Sequence, residues 1–219
     1  MLELGAGYGR LIPELTQTGR RVVALELDPE LLAAARRNTR ALPARVKRAV
    51  RFVRADMRSF AFAQRFERVI LPYNGLYCLL TKRDALACFR AVRGALDDNG
   101  IFAFDIWNAE PFRRASDAGT FADDTEPVVT LDYAGRTWDV FERSRVRRGA
   151  QRLDVTYDYV PRGGGVPSQI AIAQRYYSAE ELASLLGRAG FVVQARYGNF
   201  ASARFTANSP HLLVLARAV

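Results

Sequence analysis

Glu3-Leu4-Gly5-Ala6-Gly7-Tyr8-Gly9 decides the fold. Three glycines at alternate positions follow the short apolar run Met1–Leu4. They precede the helical spacing of Leu11, Ile12 and Leu15, which stops at Gly19. The pattern predicts a strand, a tight glycine turn and a helix over Tyr8–Thr18. Glycine lets the backbone bend sharply and lets a ligand lie against bare main chain. The helix start adds free N–H groups and the positive end of its dipole. A dinucleotide fingerprint, G-x-G-x-x-G, would need glycine where this chain has Arg10, and no G-x-x-x-x-G-K-[ST] phosphate loop occurs.

Outward from the turn, strands and helices alternate. Arg21–Leu27, with Val22, Val23, Leu25 and Leu27, reads as a buried strand. Asp28-Pro29-Glu30 supplies an N-cap, a proline at the first helical position and an acid in the first turn, so a helix is expected from Pro29 to Arg40. Short strands follow at Val50–Val53 and Arg68–Leu71. Thr81–Leu96 is an amphipathic helix with Thr81 and Asp84 near a capping box; Asp98-Asn99-Gly100 reads as a turn, and Ile101–Ile106 as an apolar strand. Such alternation argues for a parallel sheet with right-handed crossovers.

From about Pro127 to Tyr177 the period becomes two, with turn signals at Ala134-Gly135, Arg148-Gly149 and Gly163-Gly164-Gly165. Residues 127–177 are therefore expected to form an antiparallel insertion of three or four strands. A helix over Ser178–Arg188 and a final pair of strands, Phe191–Tyr197 and His211–Ala216, complete the pattern.

Of the 219 residues, 49% are apolar and 25% charged, as in a folded globular chain. No apolar run is long enough for a membrane span, and no secretion signal opens the sequence. Two cysteines and one histidine give neither a disulfide framework nor a zinc set, so no metal is expected and the compartment reads as a reducing cytoplasm. The net charge is +9, and all but Lys47 and Lys82 of the 32 basic residues are arginine. This reads as a generally basic surface, and nucleic acid is not the expected partner.

Two carboxylates follow the glycine turn. Glu26 ends the second strand, where two acceptor oxygens match the vicinal diol of a ribose. Asp56 follows the third strand, where it can accept from an adenine amino group. The set Glu3-x-Gly5-x-Gly7-x-Gly9, Glu26, Asp56 and Leu71-Pro72-Tyr73-Asn74 resembles the class I S-adenosylmethionine-dependent methyltransferases. Arg175-Tyr176-Tyr177-Ser178 and Ala189-Gly190-Phe191 extend the resemblance over nearly the whole chain.

The resemblance implies an α/β fold: a Rossmann-like, mostly parallel, seven-stranded methyltransferase sheet with a small antiparallel β insertion. It implies one methyltransferase domain over residues 1–219, lacking the helices usual before the glycine strand. The cofactor would be S-adenosyl-L-methionine. Gly5, Ala6, Gly7 and Gly9 would carry its methionine portion, and Glu3 and the Leu71 carbonyl its ammonium end. Glu26 would hold the ribose, with Leu27 on the adenine face and Asp56 and the Met57 amide at the adenine edge. Tyr73, counted with the cofactor residues, falls with Asn74 and Tyr77 where the acceptor approaches the methyl.

The insertion is similar to that of small-molecule N-methyltransferases, where it helps cover the acceptor pocket. Methyl transfer to N or O of a small molecule is the expected reaction. No Ser-His-Asp, Cys-His or metal set appears, so catalysis is expected to be positional, with Tyr8, Asn74 and Tyr77 as candidates. Tyr8, Tyr77 and Trp107 also read as packed aromatics, Asp105 as a loop cap, Arg175 as an exposed arginine and His211 as structural. An RNA or protein methyltransferase, or a non-catalytic cofactor-binding subunit, are the competing readings. Leu71-Pro72-Tyr73-Asn74 departs from the Asn/Asp-Pro-Pro-Tyr pattern of enzymes that methylate base amino groups. Exposed apolar surface in place of the usual helices would favour a homodimer.

Overall fold

The computed structural model describes residues 1–114, 120–123, 125–133 and 135–219. They divide into two compact units, residues 1–108 with 179–219, and residues 109–178.

The first unit is built on a seven-stranded sheet. Its strands are β1 (Leu2–Leu4), β2 (Val22–Glu26), β3 (Val50–Arg54), β4 (Phe66–Leu71), β5 (Leu96–Trp107), β11 (Phe191–Tyr197) and β12 (His211–Ala218). The order is β11-β12-β5-β4-β1-β2-β3; β1 to β5 pair in parallel and β12 runs antiparallel between β5 and β11. From β1 the chain winds first toward β3 and then back past itself to β4. The crevice beyond the carboxyl ends of β1 and β4 is thus a topological switch point, where open α/β sheets receive ligands.

Local chemistry sets the helix starts. The Asp28 carboxylate accepts from the amides of Glu30 (2.7 Å) and Leu31 (2.9 Å), and α2 (Pro29–Arg40) has the bounds expected from sequence. The Thr81 hydroxyl accepts from the Asp84 amide (3.0 Å) and donates to its carboxylate (2.6 Å), opening α4 (Lys82–Ala95). The first helix is shorter than expected: α1 spans only Ile12–Thr16, because the glycine turn runs on through Leu11. A helix the sequence did not signal, α3 (Ala44–Ala49), buries only Val46. Asp98-Asn99-Gly100 forms an irregularity inside β5, whose pairing with β4 shifts between Phe66 and Arg68.

Burial alternates along β5. Phe102 and Phe104 turn to one face, with Phe89 of α4 and Phe191 of β11 in edge and stacked contacts at 5.1–6.1 Å between ring centres. The helix α6 (Ala179–Arg188) buries Leu182, Leu185 and Leu186, and Lys82 of α4 pairs with Glu181 at 2.9 Å. Toward β3, Ala6, Ile12, Val22, Ala24 and Val46 form a second buried cluster.

The second unit holds α5 (Glu110–Arg114) and an antiparallel sheet, β10 (Ser168–Arg175), β9 (Arg152–Pro161), β8 (Arg136–Arg147) and β6 (Thr120–Asp123), with β7 (Val129–Tyr133) also on β8. The long strand β8 gives one edge to β9 and shares the other between β7 and β6. The strand β6 precedes the stretch whose period of two was legible. Ala134, half of the expected Ala134-Gly135 turn, lies outside the described residues. The strand β10 ends at Arg175, so Tyr176 and Tyr177 do not alternate between faces as a strand would require; both are fully buried.

Candidate active site

The glycine turn follows directly from β1. Gly5, Gly7 and Gly9 have φ of +65°, +55° and +82°, a region closed to most side chains. A Cβ at Gly9 would come within 3.2 Å of the Ala35 side chain, so this glycine lets the turn press against α2; a Cβ at Gly7 would meet nothing within 4 Å, leaving bare main chain.

Glu26 ties the turn to β2. Its Oε2 accepts from the Gly7 amide (2.8 Å), and its Oε1 accepts from the amides of Leu27 (2.8 Å) and Asp28 (2.9 Å). A carboxylate offers about four acceptor positions, so about one remains, on Oε2. The expected match of two free oxygens to a diol is thereby narrowed to a single well-aimed acceptor.

Glu3 is 2% exposed, and its Oε2 has no partner. Burial, the largest cause, pushes its carboxyl up to about 7; Arg10 opposes the shift and Glu26 adds to it. A buried, unpaired acceptor beside a glycine turn fits a cationic group.

A cleft of about 240 Å³ lies between the first three strand ends and the start of α4, lined by Gly5, Glu26, Leu27, Asp56, Met57 and Arg58, with Cys78, Leu79 and Asp84 opposite. It brings together five of the residues expected from sequence to hold the cofactor. Leu27 is exposed because β2 ends at Glu26, which leaves its side chain free at the cleft. Asp56 is held by Arg58, which lowers its pKa first through the side-chain hydrogen bonds. Arg58, Asp84 and Cys78 were not singled out from sequence. Arg58 stands two residues from Asp56, a spacing that could have flagged it; Asp84 is visible only as a helix cap. Burial raises the Cys78 thiol.

Beyond β4 the chain makes an unusual turn. Tyr73 and Asn74 both have positive φ, +62° and +56°, which non-glycine residues seldom adopt. Asp105 accepts from the Tyr73 amide (2.9 Å), the Asp105 carbonyl accepts from the Asn74 amide (3.2 Å), and Asn74 Oδ1 accepts from the Trp107 amide (2.6 Å). These bonds lock the tips of β4 and β5 together; Asp105 thus works as a cap. Leu71, the last residue of β4, is fully buried.

Tyr77 corrects an expectation. It is fully buried, its hydroxyl donates to the Trp107 carbonyl (2.8 Å), and its ring meets Trp107 edge-on. A side chain so engaged is wall and not a group that meets an acceptor. Tyr8 and Tyr73 are exposed by contrast, and the Arg10 guanidinium lies 3.9 Å from the centre of the Tyr73 ring. Arg10, which broke the dinucleotide spacing, thereby links Glu3 electrostatically to the Tyr73 turn. Arg175, expected to be exposed, is buried in the second unit, bonding the Gln151 side chain at 2.7 Å and lying over the Tyr177 ring. His211 packs edge-on against Phe200.

Comparison with known proteins agrees with this geometry. Residues 1–100 match the family model described as a methyltransferase domain. Over 222 aligned residues the chain is 25% identical to the Bacillus subtilis (strain 168) protein YqeM, whose name carries a methyltransferase assignment, covering 99% of this chain and 83% of that one. Among solved structures it is similar to the CcbJ methyltransferase of Streptomyces caelestis, with a TM-score of 0.82 and 25% identity over 100% of this chain and 82% of that chain. It is also similar to the glycopeptide N-methyltransferase MtfA in complex with S-adenosyl-L-homocysteine, with a TM-score of 0.67 and 25% identity over 100% of this chain and 80% of that one. Switch-point cleft, glycine turn and these likenesses lead to one conclusion: the chain is a class I S-adenosylmethionine-dependent methyltransferase.

Proposed function

We propose that this methyltransferase acts on N or O of a small-molecule acceptor, and that it does so by holding the reactants in line. The observation that carries the reading is the cleft shared by Gly5, Glu26, Leu27, Asp56 and Met57. When bound, S-adenosylmethionine supplies an activated methyl group on a sulfonium.

This chain's residues then do the rest. The bare backbone at Gly5 and Gly7 lets the methionine portion approach closely, with Ala6 and Gly9 completing the turn. Glu3, ionised, pairs with the ammonium end, and the Leu71 carbonyl lies at the neighbouring strand tip to accept from it. Glu26 orients the ribose through its remaining acceptor position. Leu27 covers one face of the adenine, and Asp56 with the Met57 amide reads its edge.

The acceptor side is formed by Tyr8, Tyr73 and Asn74 around the turn. Tyr8 and Tyr73 offer exposed rings and hydroxyls, and the locked Asn74 turn fixes their distance from β1. An amine acceptor needs only to arrive unprotonated, so no strong base is required. The printed name of MtfA, an N-methyltransferase, favours nitrogen. Two unpaired cysteines, Cys78 and Cys88, agree with a reducing cytoplasm as the working compartment.

The basic charge does not redirect this reading to RNA. A second cleft, of about 470 Å³, gathers Arg20, Arg21, Arg48, Arg51, Arg65 and Arg68, but it opens at the amino ends of β2, β3 and β4. A strand of this length spans about 16 Å, so a group held there is a full sheet width from the glycine turn.

Calorimetric titration with S-adenosylhomocysteine, with NADH as control, tests the cofactor site. Binding of the first alone supports it. Turnover is then screened on amines and alcohols, and a preference for polyanionic substrates that collapses with salt would overturn the small-molecule reading.

A further inference from the structure

We propose that Arg58 is a specificity-determining positioning residue: clasped between Asp56 and Asp84, its guanidinium aims the last acceptor position of Asp56 at the exocyclic amine of a 6-aminopurine. This rests on the reading of the cleft as the cofactor site.

Three N–H donors of one residue converge on Asp56. The Arg58 amide donates to Oδ1 (2.8 Å), Nε is shared between Oδ1 (3.1 Å) and Oδ2 (3.0 Å), and Nη2 donates to Oδ2 (2.6 Å). With about four acceptor positions on a carboxylate, about one is left. A plane held by a bidentate fork cannot rotate to redirect it.

The fork is itself anchored. Nη1 reaches Asp84 Oδ1 at 3.4 Å, and Asp84 is fixed by the Thr81 hydroxyl at the start of α4. The clasp therefore joins the loop after β3 to the first turn of α4, and all three residues line the cleft. The Arg58 and Asp56 side chains remain 46% and 26% exposed, where an ion pair adds little to stability. Its contribution is orientation. Held this way, the Asp56 carboxylate is acceptor-only: it takes an N–H from a 6-amino group and repels the carbonyl oxygen of a 6-oxopurine.

The test compares S-adenosylhomocysteine with its 6-oxo analogue, S-inosylhomocysteine, by calorimetry on the full chain. The wild type is expected to prefer the amino form about 100-fold, the discrimination available to a site that loses a hydrogen bond and faces an unpaired acceptor. Arg58→Met is expected to cut this preference to below about 10-fold, and Arg58→Lys to restore part of it. A purely structural role would lower both affinities together and leave their ratio alone. Should Arg58→Met lose its thermal transition, Asp84→Asn, which loosens the same anchor, must lower the ratio. A wild type that binds both ligands alike, or an Arg58→Met or Asp84→Asn chain that keeps the full ratio, overturns the proposal while leaving the cofactor site intact. Failure of the wild type to bind S-adenosylhomocysteine at all overturns both.

Discussion

Replacing Glu3 by glutamine should make the empty protein more stable and the enzyme worse. Burial raises the Glu3 carboxyl from an ordinary value of 4.5 to about 7. The folded state therefore holds a proton that the unfolded chain has released. Below about pH 4.5 the acid is neutral in both states and carries no penalty. Between about pH 4.5 and 7 stability drains away as the pH rises, and above that range the loss is complete. At about 1.4 kcal/mol per pK unit, the full penalty is about 3 kcal/mol. Glutamine has nearly the same shape and does not titrate. At about 2–4 °C per kcal/mol for a chain of this length, Glu3→Gln should melt about 6–12 °C above wild type near pH 8, and about level with it near pH 5. Thermal unfolding followed by circular dichroism across that range is the assay. A melting difference that stays flat with pH refutes the reasoning, because it would place the ionisation elsewhere. The same variant should bind S-adenosylmethionine more weakly near pH 8, since the buried anion that faces the ammonium is gone.

Other outcomes follow from the same geometry. Glu26→Ala removes the acceptor of three amides and should weaken S-adenosylhomocysteine binding by about 100-fold in calorimetry, at about 1.5–3 kcal/mol per hydrogen bond to a charged group. Gly9→Ala combines a φ of +82° with a contact at 3.2 Å to Ala35, and should lower stability by about 2 kcal/mol in urea unfolding. Tyr77→Phe should lose about 1 kcal/mol of stability through the Trp107 carbonyl and leave the methyl-transfer step nearly unchanged, as single-turnover kinetics would show.

Much of this was legible in the sequence, for identifiable reasons. The glycine turn, the Asp28 cap and the Thr81 cap are written in adjacent residues, and the strands of the sheet announce themselves by apolar runs. What escaped depends on pairs far apart in the chain. Asn74 bonds Trp107 across 33 positions, and Arg58 reaches Asp84 across 26. The left-handed turn at Tyr73 and Asn74 lacks the glycine that would have betrayed it. Tyr77 has the composition of a site residue, and only its burial shows it as wall. The helix α3 escaped because one buried valine makes no period.

The position of β12 also governs how the chain assembles. It pairs with β5 on one side and β11 on the other, bringing His211 opposite Trp107 and Phe191 opposite Ala218. It is made after every other strand of the sheet. During synthesis, at about 5–20 residues per second, β5 waits several seconds with an open edge while the second unit and α6 emerge. In that interval β11 has no strand to pair with, and the exposed edge is a template for another nascent chain. Trimming the stretch from His211 onward would release two strands rather than one, so a cell's quality control could read this enzyme's completeness from its last-made strand.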